Sequence, residues 1–245
     1  MLTDSMKPIL KNKFRFKNFY SILFAVILLA PVLADEYEYV YQDKTEEIKE
    51  VYSQIVKKQG ENEIVTTVSA NSRSQVIFDD KGQTILFQKW DNGGKLILSA
   101  ARKNGRIQIK ADNFEKDIIV DNEAWIQTTL NTKRFIQSSE KSLKFFLISS
   151  DFNHEKLGTT KGPKILNFVL KKKNVENITF NGQTVKAWKM IFTFQDMRSL
   201  FWKSTIWYRM SDGLRLRYEE ARGAPGTPLT VGELIDIKKI NKEIP

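Results

Sequence analysis

The sequence predicts a mainly β protein made of antiparallel hairpins, with a helical insertion near its middle. One observation behind this prediction is a series of short runs rich in Val, Ile, Tyr, Phe and Thr, the residue types that favour strands. Another is the regular recurrence of turn signals between those runs. A third is a leading segment of different composition, residues 1–34, which we separate from the folded domain.

The leading segment has the pattern of a secretory signal peptide. Its basic start, which ends at Lys17, is followed by an apolar stretch from Phe19 to Leu33 and by the small residue Ala34. An uncleaved membrane anchor is the alternative, but a spanning helix needs about 20 apolar residues and this stretch is shorter. We therefore expect cleavage after Ala34 and a periplasmic protein with a single β-rich domain over residues 35–245.

Composition narrows the classes of function that remain. The leader holds five basic residues and one acid, so about +6 of the formal net charge of +10 remains on the domain. Lysine and glutamate are scattered along it as on an ordinary solvated surface, and no nucleic-acid partner is expected. The chain has no cysteine, which excludes thiol catalysis, thiolate metal sites and iron–sulfur clusters. An exported chain without disulfides fits a bacterial periplasm.

Turn signals divide the first half of the domain into successive hairpins. The signals at residues 80–82, 92–94 and 104–105 recur every 11 to 12 residues, a spacing typical of antiparallel strands. The runs of strand length around them are residues 75–79, 84–90, 95–101 and 106–111. Residues 45–58 suit either a helix or a strand by their apolar spacing. Because a hairpin-type loop around Gly60 follows them, we predict a strand.

The middle of the domain, about residues 121–150, is predicted to be helical. We expect a short helix over residues 124–128 and a second over residues 140–149, whose apolar residues recur at helical spacing. An exposed loop over residues 151–163 follows and contains the single histidine, His154. Hairpins then resume, so that the predicted order is sheet, helical insertion, sheet.

The last hairpin permits a prediction of register. A two-residue turn at Asp212-Gly213 leaves mixed polarity on both faces, whereas a three-residue loop that ends in a left-handed Gly213 gathers the apolar residues on one face. We therefore predict the second register. Its pairs are Met210 with Leu214, Tyr208 with Leu216, Ile206 with Tyr218, Trp207 with Arg217, Thr205 with Glu219 and Arg209 with Arg215.

The predicted register, together with the preceding strand, creates a broad apolar face that is the candidate binding site. The candidate lining residues are Trp188, Met190, Phe192, Phe194, Trp202, Ile206, Tyr208, Met210, Leu214, Leu216 and Tyr218. One interpretation is that this face is the core of the sheet, packed by a helix. The other is that it lines a cavity for an acyl chain or a similar apolar ligand, because Met and aromatic side chains adapt to flexible guests.

No catalytic template fits the sequence. Residues 138–141 have the Ser-x-x-Lys spacing of penicillin-recognising enzymes, but the companion motif is missing, since residues 211–213 read Ser-Asp-Gly. Gly-x-Ser-x-Gly does not occur, and one histidine cannot build a His-rich metal centre. We therefore predict no catalytic residue, no metal and no cofactor.

The C-terminal part carries a family resemblance. Its motifs are Gly182–Ala187, Phe201-Trp202, Ile206–Arg209, Asp212-Gly213, Tyr218 and Arg222–Pro228, with Trp125–Gln127, Phe135-Ile136 and Phe145-Phe146 in the middle of the chain. With these motifs the chain resembles an uncharacterised family of bacterial periplasmic proteins, which is itself similar to the lipoprotein-localisation carriers. The resemblance implies a curved antiparallel sheet that forms an incomplete β-barrel, with helices across its open side and an apolar cavity inside.

Three functions follow as hypotheses. The first is a non-enzymatic periplasmic protein that binds a lipid or acyl-type ligand in a half-barrel cavity. Its expected partners are a lipid or a lipidated protein, with transient contact to an anionic membrane surface. The second is a structural or interaction module of the cell envelope whose sheet face is fully packed. The third is an envelope hydrolase, which requires a polar cluster that the sequence does not show.

Overall fold

The computed structural model describes residues 35–112, 114–120, 124–149, 162–221 and 226–240. The predicted signal peptide and the loop around His154 lie outside the described residues. Within those ranges the protein is mainly β, with one short α-helix.

The first half is a meander of eight strands, each antiparallel to the next. The strands are β1 (Glu36–Thr45), β2 (Ile48–Gln59), β3 (Asn62–Val68), β4 (Arg73–Phe78), β5 (Thr84–Trp90), β6 (Leu96–Lys103), β7 (Arg106–Ala111) and β8 (Phe114–Ile119). The strand predicted over residues 45–58 and the hairpins between residues 75 and 111 are confirmed.

The second half begins with a short crossing segment and ends in a second meander. The crossing consists of β9 (Ala124–Trp125), a 3-10 turn (Thr129–Thr132) and the helix α1 (Lys133–Gln137). The strands after it are β10 (Ser142–Ser149), β11 (Lys164–Phe180), β12 (Gln183–Phe194), β13 (Lys203–Arg209), β14 (Arg215–Ala221) and β15 (Leu229–Ile240).

All the strands of the described residues belong to one large sheet that is not closed into a barrel. Its order is β8-β7-β6-β5-β4-β3-β2-β1-β15-β14-β13-β12-β11-β10-β9. The two meanders join where β1 pairs with β15, and β9 lies parallel to β10 at one edge. Because a meander alternates its connections, the β1–β2, β12–β13 and β14–β15 connections share one rim of the sheet. The β4–β5, β6–β7 and β13–β14 turns share the other rim.

Two Asn-Gly turns confirm the hairpins that the sequence predicts around them. Asn104 and Gly105 have φ angles of 52° and 73°, and Asn181 and Gly182 have φ angles of 48° and 73°. Positive φ at both central residues defines the tight turn whose twist matches that of antiparallel strands. Asn and Gly adopt this conformation at the lowest steric cost, which is why the sequence Asn-Gly predicts these turns.

The predicted helical insertion over residues 121–150 is largely wrong. Residues 140–149 do not form a helix, since Ser142–Ser149 is the strand β10. Residues 124–128 do not form one either, since they begin with the strand β9. Within residues 124–149, helical backbone is confined to the 3-10 turn and to α1; a second 3-10 turn, Met197–Leu200, lies between β12 and β13. The reason is that a short apolar run buried on both sides has the same appearance in a helix and in a strand.

The strand β10 is buried on both of its faces. Phe146 and Ile148 pack with Trp125 against the apolar side chains of β3 to β7. Phe145, the residue before Phe146, packs on the other face with Phe168 and other residues of β11 to β14, and Leu147 packs against the same cluster. Because successive strand residues point to opposite faces, one strand supplies two core clusters. This arrangement explains the uninterrupted apolar sequence Phe145–Ile148.

Candidate functional site

The candidate site is a small apolar cavity between the second meander and residues 126–137 of the crossing, which we call the strap. Its volume is about 120 Å³. Its lining comes from the strap and from strands β10 to β13: Ile126, Gln127, Thr128, Thr129, Thr132, Phe145, Leu147, Leu170, Phe192, Ile206 and Tyr208. The strap therefore forms one side of the cavity and the sheet forms the other.

Gln127 fixes the start of the strap. Its Oε1 accepts hydrogen bonds from Trp125 Nε1 at 2.9 Å and from the backbone N–H of Ile148 at 3.0 Å. Its Nε2 donates to the Ile148 carbonyl oxygen at 2.9 Å. This partly buried amide bonds the Trp125 indole and both backbone groups of Ile148, and it thereby holds the strap against β10.

The remainder of the strap is tied to two turns on one rim of the sheet. Asn131 Nδ2 donates to the carbonyl oxygen of Gly82 at 3.0 Å, in the β4–β5 turn. Gln137 Nε2 donates to the Ser211 carbonyl oxygen at 3.3 Å, in the β13–β14 turn. A Cβ at Gly213 in that second turn would lie 3.1 Å from Cα of Lys133. The strap thus crosses from the first meander to the second.

A cluster of aromatic rings, which we call the aromatic wall, adjoins the cavity. It consists of Phe145, Phe168, Phe192, Phe194 and Trp202. The centroid of the Phe168 ring lies 4.5 Å from those of Phe192 and Phe194, and Trp202 meets Phe192 edge to face at 5.4 Å. Offset-stacked and edge-to-face geometries are the arrangements that aromatic pairs favour, and with the tilted Phe168–Phe192 pair these rings form a packed wall.

Eight of the eleven predicted site residues meet in one cluster with the aromatic wall. Met190, Ile206, Tyr208 and Tyr218 are buried in it, and Trp188, Phe192, Phe194 and Trp202 pack against it half-buried. Phe192, Ile206 and Tyr208 also line the cavity. The four β12 residues among them, Trp188, Met190, Phe192 and Phe194, alternate along the strand and therefore share one face.

Met210, Leu214 and Leu216 do not belong to that cluster. Leu214 and Leu216 pack in a separate cluster with Tyr41, Trp207 and other residues, and Met210 is exposed at the turn. The structure therefore does not bring these three predicted residues to the cavity with the other eight.

The separation of these three residues from the other eight comes from a β-bulge in the last hairpin. The predicted pairs Ile206 with Tyr218, Trp207 with Arg217 and Thr205 with Glu219 are present, and Gly213 is left-handed with φ 73°. The register then shifts, so that Tyr208 faces Arg215 and not Leu216. The backbone N–H of Arg209 donates to the Leu214 carbonyl oxygen, and the Arg209 carbonyl oxygen accepts from the N–H of Gly213, so the loop is longer than predicted. An extra residue at a bulge moves every later side chain to the opposite face.

The strap residues were missed as a group. Thr128, Thr129 and Thr132 carry no apolar period, and the 3-10 turn and the helix α1 are too short to give a periodic signal in the sequence. The motifs Trp125–Gln127 and Phe135-Ile136 were the available signals, since both belong to the family resemblance.

The electrostatic character of the site is neutral. None of the described residues that line the cavity is charged. Burial raises the pKa of Tyr208 to about 12, which keeps its hydroxyl protonated at neutral pH. Lys172 lies beside the cluster, with Nζ 4.8 Å from the ring centroid of Phe135, and burial lowers its pKa. The lining can bind apolar groups and offers no acid–base pair.

Neither a metal-ligand cluster nor a membrane-spanning helix occurs among the described residues. They contain no group of three or more His, Cys, Asp or Glu side chains that could hold a metal ion. Among them, no helix has the length and apolar character needed to cross a membrane.

The comparisons with known proteins show a likeness of fold. No family model and no curated protein sequence matches the chain. Among solved structures, a β-barrel-like protein of the Domain of Unknown Function DUF1849 from Brucella abortus matches with a TM-score of 0.57 and 9% identity, over 86% of this chain and 99% of that one.

Two other solved structures match at lower scores. The hypothetical lipoprotein YmcC from Escherichia coli has a TM-score of 0.38 and 11% identity, over 83% of this chain and 86% of that one. A LolA superfamily protein from Nitrosomonas europaea has a TM-score of 0.24 and 8% identity, over 88% of this chain and 89% of that one. The similarity of fold therefore rests on the DUF1849 protein.

Proposed function

We propose that this protein binds the apolar part of a lipid or acyl-type ligand in the cavity beneath the strap, without catalysing a reaction. The observation that carries the proposal is the lining itself, in which Phe145, Leu170, Phe192 and Ile206 surround a space free of charged side chains. Removal of apolar surface from water is the driving force, at about 0.8 kcal/mol for each buried methylene.

The volume of the cavity limits which part of a ligand is bound. At about 120 Å³ the cavity is slightly smaller than an engineered protein cavity of about 150 Å³ that binds benzene. Typical ligand pockets measure about 300–1,000 Å³. The site therefore takes a ring or the end of a chain. A longer acyl chain needs the strap or the ring of Phe192 to move.

The cell envelope is the proposed location. It is supported by the pattern of residues 1–34 and by the lack of cysteine, as expected for a domain that folds on its apolar core. A bilayer or a lipidated protein is then the source of the ligand.

A second candidate function is an interaction module with a packed sheet. It is favoured by the density of the aromatic wall and by the complete burial of Met190 next to it. In that case the cavity is a packing defect of the core and takes no ligand.

Uptake of a fluorescent fatty acid by delipidated protein separates the two candidates. We expect saturable binding that Leu147→Phe weakens by about tenfold or more, because the larger ring fills the cavity. The matched control is Leu143→Phe. Leu143 lies on the same strand and packs half-buried against the same cluster, but it does not line the cavity.

The outcome decides between the candidates. Saturable uptake that Leu147→Phe impairs and Leu143→Phe leaves intact supports ligand binding. No uptake by the wild-type protein, or equal loss in both variants, favours the packed interaction module. Native mass spectrometry of protein purified from its own host adds an independent readout, since a co-purifying lipid supports the first candidate.

A further inference from the structure

The connection between β12 and β13 displays three large apolar side chains to solvent. Met197 is 80% exposed, Leu200 is 79% exposed and Phe201 is 70% exposed. Single exposed apolar residues are common on protein surfaces and need no explanation. Three within five consecutive residues form a contiguous apolar protrusion, which we call the apolar tip.

Hydrogen bonds hold the apolar tip in a defined shape. Asp196 accepts the backbone N–H of Arg198 at 2.9 Å through Oδ1, and its carboxylate also pairs with the Arg198 guanidinium at 2.6 Å. The N–H groups of Phe201 and Trp202 both donate to the Arg198 carbonyl oxygen at 3.0 Å. The exposed side chains therefore project from an ordered turn.

The apolar tip is continuous with the aromatic wall. Arg198 stacks over the ring of Phe194, with its Cζ 4.2 Å from the ring centroid, and Trp202 directly follows Phe201. One side of the connection is thus packed on the wall, while Met197, Leu200 and Phe201 face solvent.

The same rim of the sheet carries further exposed apolar residues. Leu229, at the start of β15, is 52% exposed and Ile48, at the start of β2, is 65% exposed. The register places these positions at the same end of neighbouring strands, because Leu229 pairs with Ala221 and Thr45 pairs with both Thr230 and Ile48. The exposed apolar surface therefore follows the rim beyond the tip.

We propose that the apolar tip inserts into the boundary between headgroups and acyl chains of a lipid bilayer. A stable protein interface buries about 800 Å² on each partner, whereas a large aromatic side chain buries about 150–250 Å². Three protruding side chains fall short of that area. A bilayer needs no complementary shape, and the exposed Lys203, two residues beyond Phe201, is a long basic side chain of the kind that reaches lipid headgroups.

Flotation with vesicles of phosphatidylcholine and phosphatidylglycerol tests this proposal on the full domain. We expect the wild-type protein to float with the vesicles and the double variant Leu200→Gln/Phe201→Gln to lose binding by about tenfold or more. The matched control is Ile119→Gln. Ile119 is 71% exposed and ends β8 at the opposite rim, so this variant keeps the binding of the wild type.

Three results overturn the proposal. They are the absence of wild-type flotation, equal flotation of the double variant, and a wild-type dimer in solution that the double variant dissociates. The last result assigns the tip to self-association instead. The flotation assay needs no ligand in the cavity, so its outcome is independent of the proposed function.

Discussion

The indole Nε1 of Trp207 donates a 2.8 Å hydrogen bond to Oε2 of Glu176, across the intervening strand β12. Asn174 Nδ2 and Lys189 Nζ donate to the other carboxylate oxygen at 3.1 Å and 3.0 Å. Lys189 Nζ and Arg217 Cζ lie 5.3 Å and 5.7 Å from the Trp207 ring. The Trp207 hydrogen bond, with those from Asn174 and Lys189, lowers the pKa of Glu176 to about 2.

The lowered pKa of Glu176 makes a component of stability dependent on pH. A carboxylate with a depressed folded pKa stabilises the fold above its unfolded value and loses that effect as pH falls through the folded value. We expect the difference in unfolding free energy between the wild type and Glu176→Gln to be constant above pH 4.5 and to shrink towards pH 2. Urea unfolding followed by tryptophan fluorescence measures it.

Trp207→Phe provides the control for that titration. It keeps an aromatic ring beside Lys189 and Arg217 but removes the N–H donor, so the pKa of Glu176 rises towards its ordinary value. An NMR titration of the Glu176 carboxyl group reads this directly. An unchanged pKa in Trp207→Phe contradicts the assignment of the indole as the main cause.

Met190 and Met210 form a matched pair for testing the corrected site. Met190 is fully buried in the cluster with the aromatic wall, whereas Met210 is 37% exposed at the β13–β14 turn. We expect Met190→Ala to cost about 2–5 kcal/mol, because it opens a cavity in a packed core. Met210→Ala should cost less than about 0.5 kcal/mol. Similar costs for both variants would show that the bulged register is incorrect.

Gln127→Met tests the anchor of the strap. The substitution keeps the length of the side chain but leaves Trp125 Nε1 and both backbone groups of Ile148 without their partner. Each stranded buried group costs about 1–3 kcal/mol, so the total loss is at least about 3 kcal/mol.

The control for the strap anchor is Gln108→Met, at an exposed position that bonds Glu115. Its expected cost is below about 0.5 kcal/mol. Hydrogen exchange at the Trp125 indole reports the same loss locally. Unchanged protection of that proton in Gln127→Met argues against the anchor.

Gly213→Ala tests the contact between the strap and the β13–β14 turn. Gly213 and Gly105 share a φ of 73°, so alanine costs roughly 1 kcal/mol or more of backbone strain at either position. Only at Gly213 does the added Cβ meet another segment, 3.1 Å from Cα of Lys133, since Gly105 has open space around it. We expect Gly213→Ala to be the more destabilising by about 1 kcal/mol in thermal unfolding. Equal effects indicate that the strap does not rest on this turn.

The hairpins were predictable because their signals are local. Asn104-Gly105 and Asn181-Gly182 specify a turn through their own backbone preferences, without reference to the remainder of the fold. The pair Ile206 with Tyr218 was predictable because it lies before the bulge. Beyond the bulge, Leu214 and Leu216 pack with Tyr41 and Trp207. Their positions therefore depend on contacts outside the hairpin, such as the one with Tyr41, which is distant in sequence.

The cavity was only partly predictable for a related reason. Phe192, Ile206 and Tyr208 lie on strands whose apolar alternation is visible in the sequence, whereas Phe145 lies on a strand that lacks alternation because both of its faces are buried. The strap that carries the lining threonines is placed by the hydrogen bonds that Asn131 and Gln137 make to distant turns. Such long-range contacts produce no periodic pattern in the sequence, so they cannot be predicted from it.

The pairing of β1 with β15 has a consequence for how the chain reaches this fold. It joins residues roughly 200 positions apart, as in Glu36 with Ile240, whereas the other antiparallel pairs join consecutive strands. Each meander can form from local contacts, but the ladder between them closes a very long loop and forms late. Until β15 has been synthesised, β1 is an open edge that carries Tyr37, Tyr39 and Tyr41. An incomplete chain therefore exposes an aromatic edge strand to other chains. Protection from aggregation is needed most before β15 pairs with β1.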